Sequence, residues 1–233
     1  VPTDSVQWGA GMTKVYDCLS HDFVYHDLSK MMIFPGNHDT DRIGDVVRQN
    51  PDRMKIVMTM MATMRGFPQI FAGDEMMFVS KDKSQGHGGL RVDFPGGWNG
   101  DKENWFTEEG RKAALTGTDG KPVPAGQVAE LHDFTRKLFQ WRKGKSVIHD
   151  GKTLHFLSRD NTYAYFRYNA DEAVFVFINN SRGRKSIPWS HYAEIAEGLH
   201  DGKNVLTGEA VEVNDSTVVG PRKALVVEYK RKK

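Results

Sequence analysis

Two brief, mostly apolar runs, Met31-Met32-Ile33-Phe34 and Gln69-Ile70-Phe71-Ala72, constrain this chain most. Each stops at a glycine-containing polar turn, and one helix-length segment separates them. A short continuous run without polar alternation is a strand buried on both faces, the habit of parallel sheets. Between the runs, Asn50 offers an N-cap, Pro51 suits the first helical position and Asp52 favours the positive helix end. The helix should run to about Arg65, where Gly66 closes it. Met54, Met58, Met61 and Met64 recur along it at helical spacing and read as a core stripe. Strand, helix, strand implies a right-handed βαβ unit. Ahead of it, Met12, Val15, Tyr16, Leu19 and Phe23 fall on one stripe of a further amphipathic helix, in which Cys18 is expected to pack into the core.

Beyond the second run, residues 80–104 are rich in Gly, Asp and Lys, and so long a loop in a compact domain is usually functional or mobile. A helix follows over about 127–142, with Leu131, Phe134, Leu138 and Trp141 on one face and Gly144 at its end. From about Lys152 the pattern changes to short β-branched and aromatic runs at 153–158, 162–168, 173–179 and 224–229, as in an antiparallel sandwich. Tyr163, Tyr165, Phe166, Phe175 and Phe177 are its expected core. A domain boundary is expected near residue 148.

Composition narrows the function classes. With 39% hydrophobic and 27% charged residues the chain is ordinary globular material. A formal charge of +2, with the one dense basic run at Lys230-Arg231-Lys232-Lys233, makes nucleic acid a poor candidate ligand. A single cysteine leaves no internal disulfide framework and no multi-thiolate metal site. The longest apolar stretches are too short or interrupted to span a bilayer. The chain begins at Val1, read as a processed end or an artificial boundary.

The sharpest chemical feature is Phe34-Pro35-Gly36-Asn37-His38-Asp39-Thr40-Asp41-Arg42-Ile43, with ionisable groups concentrated just after a buried strand, where active sites of α/β folds gather. Gly36-Asn37-His38-Asp39 alone is similar to the metallophosphoesterase motif in which Asn and His hold a two-metal centre. That chemistry needs further ligands upstream, and the residues before Gly36 contain neither Asp-x-His nor Gly-Asp-x-x-Asp.

A longer match covers essentially the whole chain. Residues 34–43 resemble the conserved region at the seventh barrel strand of the α-amylase family, and Gly66-Phe67-Pro68-Gln69-Ile70-Phe71-Ala72-Gly73-Asp74-Glu75 resembles the segment at its eighth. Arg91-Val92-Asp93-Phe94-Pro95-Gly96-Gly97-Trp98 and the strand-rich tail look like bacterial neopullulanase and cyclomaltodextrinase-type members. Position 72 departs from the aromatic residue expected there. The resemblance implies the C-terminal portion of a (β/α)₈ TIM barrel over residues 1–147, followed by an antiparallel β-sandwich over 148–233.

It also implies roles. Asp39 would be the family's third carboxylate, a transition-state stabiliser that accepts hydrogen bonds from the sugar being cleaved, and His38 would donate to the same sugar. Arg42 either contacts a sugar hydroxyl or pairs with Asp41 or Asp45 at the surface. Arg91, Asp93 and Trp98 are candidate substrate-binding residues, the indole as a platform for a sugar's C–H face; the alternative is that they only pin their loop. A retaining glycosidase needs a nucleophile and an acid/base carboxylate about 5–5.5 Å apart, which the family carries on earlier strands. The chain is therefore expected to be part of a retaining hydrolase of starch, pullulan or maltodextrins, and inactive alone. No metal or other cofactor is expected in it, a structural calcium being possible only elsewhere in the parent. The partner would be an α-glucan, with self-association through an exposed barrel-strand edge. The rival readings are a carbohydrate-binding module using the sandwich and the metallophosphoesterase.

Overall fold

The computed structural model describes residues 10–94, 98–116 and 123–232. The chain forms two compact units interleaved in sequence: Val1–Met32, Ala62–Phe67 and Leu138–Lys233 make one, and Ile33–Met61 with Pro68–Lys137 make the other. Compactness thus divides the chain before Leu138 and not near residue 148.

The first unit is built on a five-stranded antiparallel sheet in the order β3 (Lys152–His155), β4 (Thr162–Tyr168), β5 (Glu172–Asn179), β9 (Lys223–Arg231), β7 (Leu199–Asn204). In β4 and β5 nearly every residue is buried, because both faces of the central strands are covered. Phe166, Phe175 and Phe177 pack with Ile187, Trp189, Tyr192 and Val219. The last of these lies on the second, two-stranded sheet of β6 (Lys185–Ser186) and β8 (Val218–Val219), which completes the sandwich. On the opposite face the Tyr165 hydroxyl meets Thr63, and Arg167 donates to the Ile148 carbonyl at 2.9 Å. Buried Arg142 donates to the carbonyls of Ala62, Met64 and Gly66, satisfying acceptors at the end of the preceding helix. Helix α1 (Thr13–Ser20) also belongs here, and the backbone amide of Met12 donates to the Asn161 side chain at 3.2 Å.

The second unit holds α2 (Ile43–Val46), most of α3 (Pro51–Thr63), α4 (Glu108–Leu115) and most of α5 (Ala125–Lys143) around Ile43, Met54, Met58, Met76, Phe78, Trp105 and Leu131. Asn50 caps α3 by accepting the Arg53 amide at 3.0 Å, and all four stripe methionines are buried. Gly66 follows at φ +82°, where a Cβ would come within 2.2 Å of the Met31 carbonyl oxygen, so only glycine fits. Strands β1 (Met32–Ile33) and β2 (Phe67–Pro68) pair on either side of α3. The amides of Phe67 and Gln69 donate to the carbonyls of Met31 and Ile33 in turn, so the strands run parallel and the βαβ unit is present.

Several expectations are corrected. The first helix ends at Ser20, which leaves Phe23 in a 3₁₀ turn and 83% exposed, and Cys18 is exposed. β1 is short, with Met32 46% and Phe34 40% exposed, because among the described residues it has one strand neighbour instead of two. The second strand lies at Phe67–Pro68, not 69–72. There the chain turns through Gly73 at φ +95°, and the apolar character serves packing: Ile70 lies against the core and Phe71 under Arg42. Among the described residues no helix is long and apolar enough to cross a membrane.

Candidate functional site

The loop after β1 is shaped by its own side chains. Asn37 accepts the Asp39 amide on its side-chain oxygen at 2.9 Å, and Thr40 Oγ1 accepts the Asn37 amide at 2.9 Å. These local bonds form a tight turn that presents His38 and Asp39 to solvent. The Asp39 carboxylate lies 3.2 Å from His38 Nε2, 3.4 Å from His87 Nδ1 and 3.1 Å from the Arg91 guanidinium. Its side chain is 52% exposed and so are its partners, by half or more. Ion pairs this exposed contribute little to stability; the cluster offers donors and an acceptor to something in solution.

Arg42 is elsewhere. It is 1% exposed, and neither the sugar contact nor the surface pair with Asp41 or Asp45 describes it. Its Nε donates to the Leu90 carbonyl at 2.9 Å, and Nη1 donates to the Ala72 carbonyl at 2.8 Å and to Asp74 at 3.1 Å. Its guanidinium carbon sits 3.9 Å from the centre of the Phe71 ring and 5.4 Å from that of Phe78. One buried cation thus ties the loop after β1 to the segment after β2 and to Leu90, the neighbour of Arg91. Burial pushes the Asp74 carboxyl up to about 7 against the pull of Arg42, and lowers Arg42. Asp45 makes a second tie, accepting both the amide and the hydroxyl of Ser80, at 2.8 and 2.6 Å.

The long loop walls a cavity of about 790 Å³ in which Arg91, Asp93, Phe94, Trp98 and Trp105 stand. Trp98 is 65% exposed, its ring edge-on to Phe94 at 5.9 Å. His38 and Asp39 do not line this cavity, and Arg91 is the residue common to both places. Of the residues singled out from sequence, His38, Asp39 and Arg91 come together, Asp93 and Trp98 line the cavity with Arg91, and Arg42 lies beneath. Pro95, Gly96 and Gly97 of that motif fall outside the described residues. His87 was not foreseen. Its signal is weak but present: a lone ionisable side chain amid glycines, Gly86-His87-Gly88-Gly89, in a loop already suspect.

Comparisons with known proteins agree on the family. Residues 9–186 match the α-amylase catalytic domain model and residues 153–228 the cyclomaltodextrinase C-terminal domain model. A maltogenic α-amylase of Bacillus acidopullulyticus is 25% identical over 159 residues, 66% of this chain and 22% of that protein. The α-amylase of Geobacillus thermoleovorans, solved with acarbose, superposes with a TM-score of 0.67 at 17% identity, over 96% of this chain and 44% of its own. Trehalose-6-phosphate hydrolase of Bacillus licheniformis does so at 0.63 and 19% identity, over 97% of this chain and 49% of its own. The chain spans less than half the length of each. The fold is accordingly the C-terminal portion of a (β/α)₈ barrel followed by an antiparallel β-sandwich. With the catalytic-domain model matched over most of its length, the chain belongs to the α-amylase family.

Proposed function

We propose that this chain is the C-terminal part of a retaining α-glucan hydrolase acting on starch, pullulan or maltodextrins. In this reading residues 1–147 are barrel and 148–233 sandwich. The observation that carries it is the exposed Asp39 carboxylate, held just after β1 among His38, His87 and Arg91. Asp39 accepts hydrogen bonds from hydroxyls of the sugar at the cleavage point, and His38 donates to the same ring. Bonds to the 2-hydroxyl strengthen as the ring becomes oxocarbenium-like, which lowers the barrier by several kcal/mol, roughly. Arg91 holds Asp39 and reaches towards the cavity, where Asp93 and Trp98 receive a neighbouring glucose unit. Bond cleavage falls to a nucleophile and an acid/base outside these residues, so the isolated chain turns over no substrate.

The test is Asp39→Asn in the full-length enzyme with maltoheptaose as substrate. The expected result is a kcat lower by two orders of magnitude or more with KM changed little, because the lost bonds belong to the transition state. An unchanged kcat, or turnover of a chromogenic maltoside by residues 1–233 alone, would overturn the assignment.

A further inference from the structure

Asn99-Gly100 is the one Asn-Gly pair in the chain, and both residues stand in the wall of the cavity that Trp98 lines. Both are exposed. They form the centre of a tight turn closed by the Asp101 amide, which donates to the Trp98 carbonyl at 3.0 Å. Gly100 takes φ +83°, as the third residue of a type II turn does, and nothing lies within 4 Å of where a Cβ on it would stand. Among the described residues neither the Asn99 side-chain amide nor the Gly100 backbone amide has a hydrogen-bond partner. The backbone nitrogen that follows Asn99 is therefore unscreened by any side chain and tied to no acceptor.

Other asparagines of this chain are held. The side-chain oxygens of Asn37, Asn104, Asn169 and Asn204 each accept the backbone amide two residues on, at 2.9 to 3.0 Å, and each of these asparagines is followed by a residue with a Cβ. Asn161 and Asn180 are buried and bonded to one another. At Asn99 the free geometry permits an intramolecular reaction. The Gly100 nitrogen attacks Cγ of Asn99, the bond from Cγ to the side-chain nitrogen breaks, and that nitrogen leaves as ammonia with the proton from the Gly100 amide. A five-membered succinimide ring results. Water opens it at either carbonyl, its hydroxyl going to the carbon and its proton back to the Gly100 nitrogen. One opening gives aspartate; the other gives isoaspartate, whose backbone runs through the former side chain and is longer by a methylene. Nothing is oxidised or reduced, and no partner other than water is needed.

We propose that Asn99 is a site of spontaneous covalent modification, deamidating through a Gly100 succinimide in the folded chain and so adding a carboxylate to the cavity wall. The new charge stands beside Asp93, Asp101 and Glu103, which already line the cavity, and the isoaspartate form also lengthens the backbone next to Trp98. The site is independent of the functional reading above. The test is peptide mapping by mass spectrometry of the folded 233-residue chain during incubation in mildly alkaline buffer. We expect the peptide holding Asn99 to gain one dalton at least tenfold faster than the peptide holding any other asparagine, with isoaspartate the larger product. Gly100→Ala should slow the gain at least tenfold and Asn99→Gln should abolish it; both positions are exposed, and circular dichroism verifies that each variant is folded. Conversion of Asn99 no faster than that of Asn37, a gain without isoaspartate, an unchanged rate in Gly100→Ala, or conversion that occurs only after unfolding in urea would each overturn the site.

Discussion

At the scale of single residues, the buried pair of Arg42 and Asp74 has a measurable signature. The Asp74 carboxyl goes from an ordinary 3.8 to about 7 on folding, burial being the largest cause. Between those values the folded state holds a proton that the unfolded state has released, so stability falls as pH rises from about 4 to about 7 and levels off above. Asp74→Asn keeps an acceptor for Arg42 and removes the titration. Denaturant unfolding of both proteins across this range should show the difference in unfolding free energy moving steadily in favour of the variant up to pH 7; parallel profiles would refute the burial argument. The motif around Arg42 was plain in the sequence, but its fate was not. An arginine between Asp41 and Asp45 reads as a surface ion pair, and only the fold of residues 71–78 and Leu90 over it makes it a buried tie.

Secondary-structure elements were legible where local chemistry decides them. The ends of α3 and α5 were read from Asn50, Gly66 and Gly144, and the runs of β4 and β5 from β-branched and aromatic residues. Helix α4 was overlooked although Thr107 caps it, accepting the Gly110 amide at 3.1 Å, ahead of two acidic residues in the first turn. Strand β7 had no such signal: Leu-His-Asp-Gly-Lys-Asn is mostly polar, and it is a strand because β9 lends it partners across a bulge. Two glycines test the difference between a required and a tolerated residue. Gly66→Ala should cost at least about 1–2 kcal/mol through its left-handed backbone and the clash with the Met31 carbonyl. Gly126→Ala, in α5 with open space around it, should stabilise by about 0.4–1 kcal/mol. Thermal denaturation of the two variants should move in opposite directions; a shared direction would refute the contrast.

For the whole molecule, β1 leaves Met32 and Phe34 partly exposed beside a strand with one partner among the described residues, and such edges recruit other chains. The 233-residue chain should self-associate, with a light-scattering mass that rises with concentration, and Phe34→Lys should lower that mass; a strictly monomeric wild type would contradict the edge argument. By itself the sequence determined what depends on neighbours along the chain: the first strand and the capped helix after it, though not the bounds of the second strand, the sandwich from period and composition, and the position of His38 and Asp39 after a strand. These follow from dihedral preference, capping and hydrophobic period, which act over a few residues. Only the tertiary structure decided that His87 and Arg91, some fifty positions from Asp39, reach its carboxylate, that Arg42 is enclosed, and that residues 13–20 share a unit with the sheet. Those outcomes depend on which distant surfaces exclude water together, and burial of that kind is a property of the folded chain as a whole.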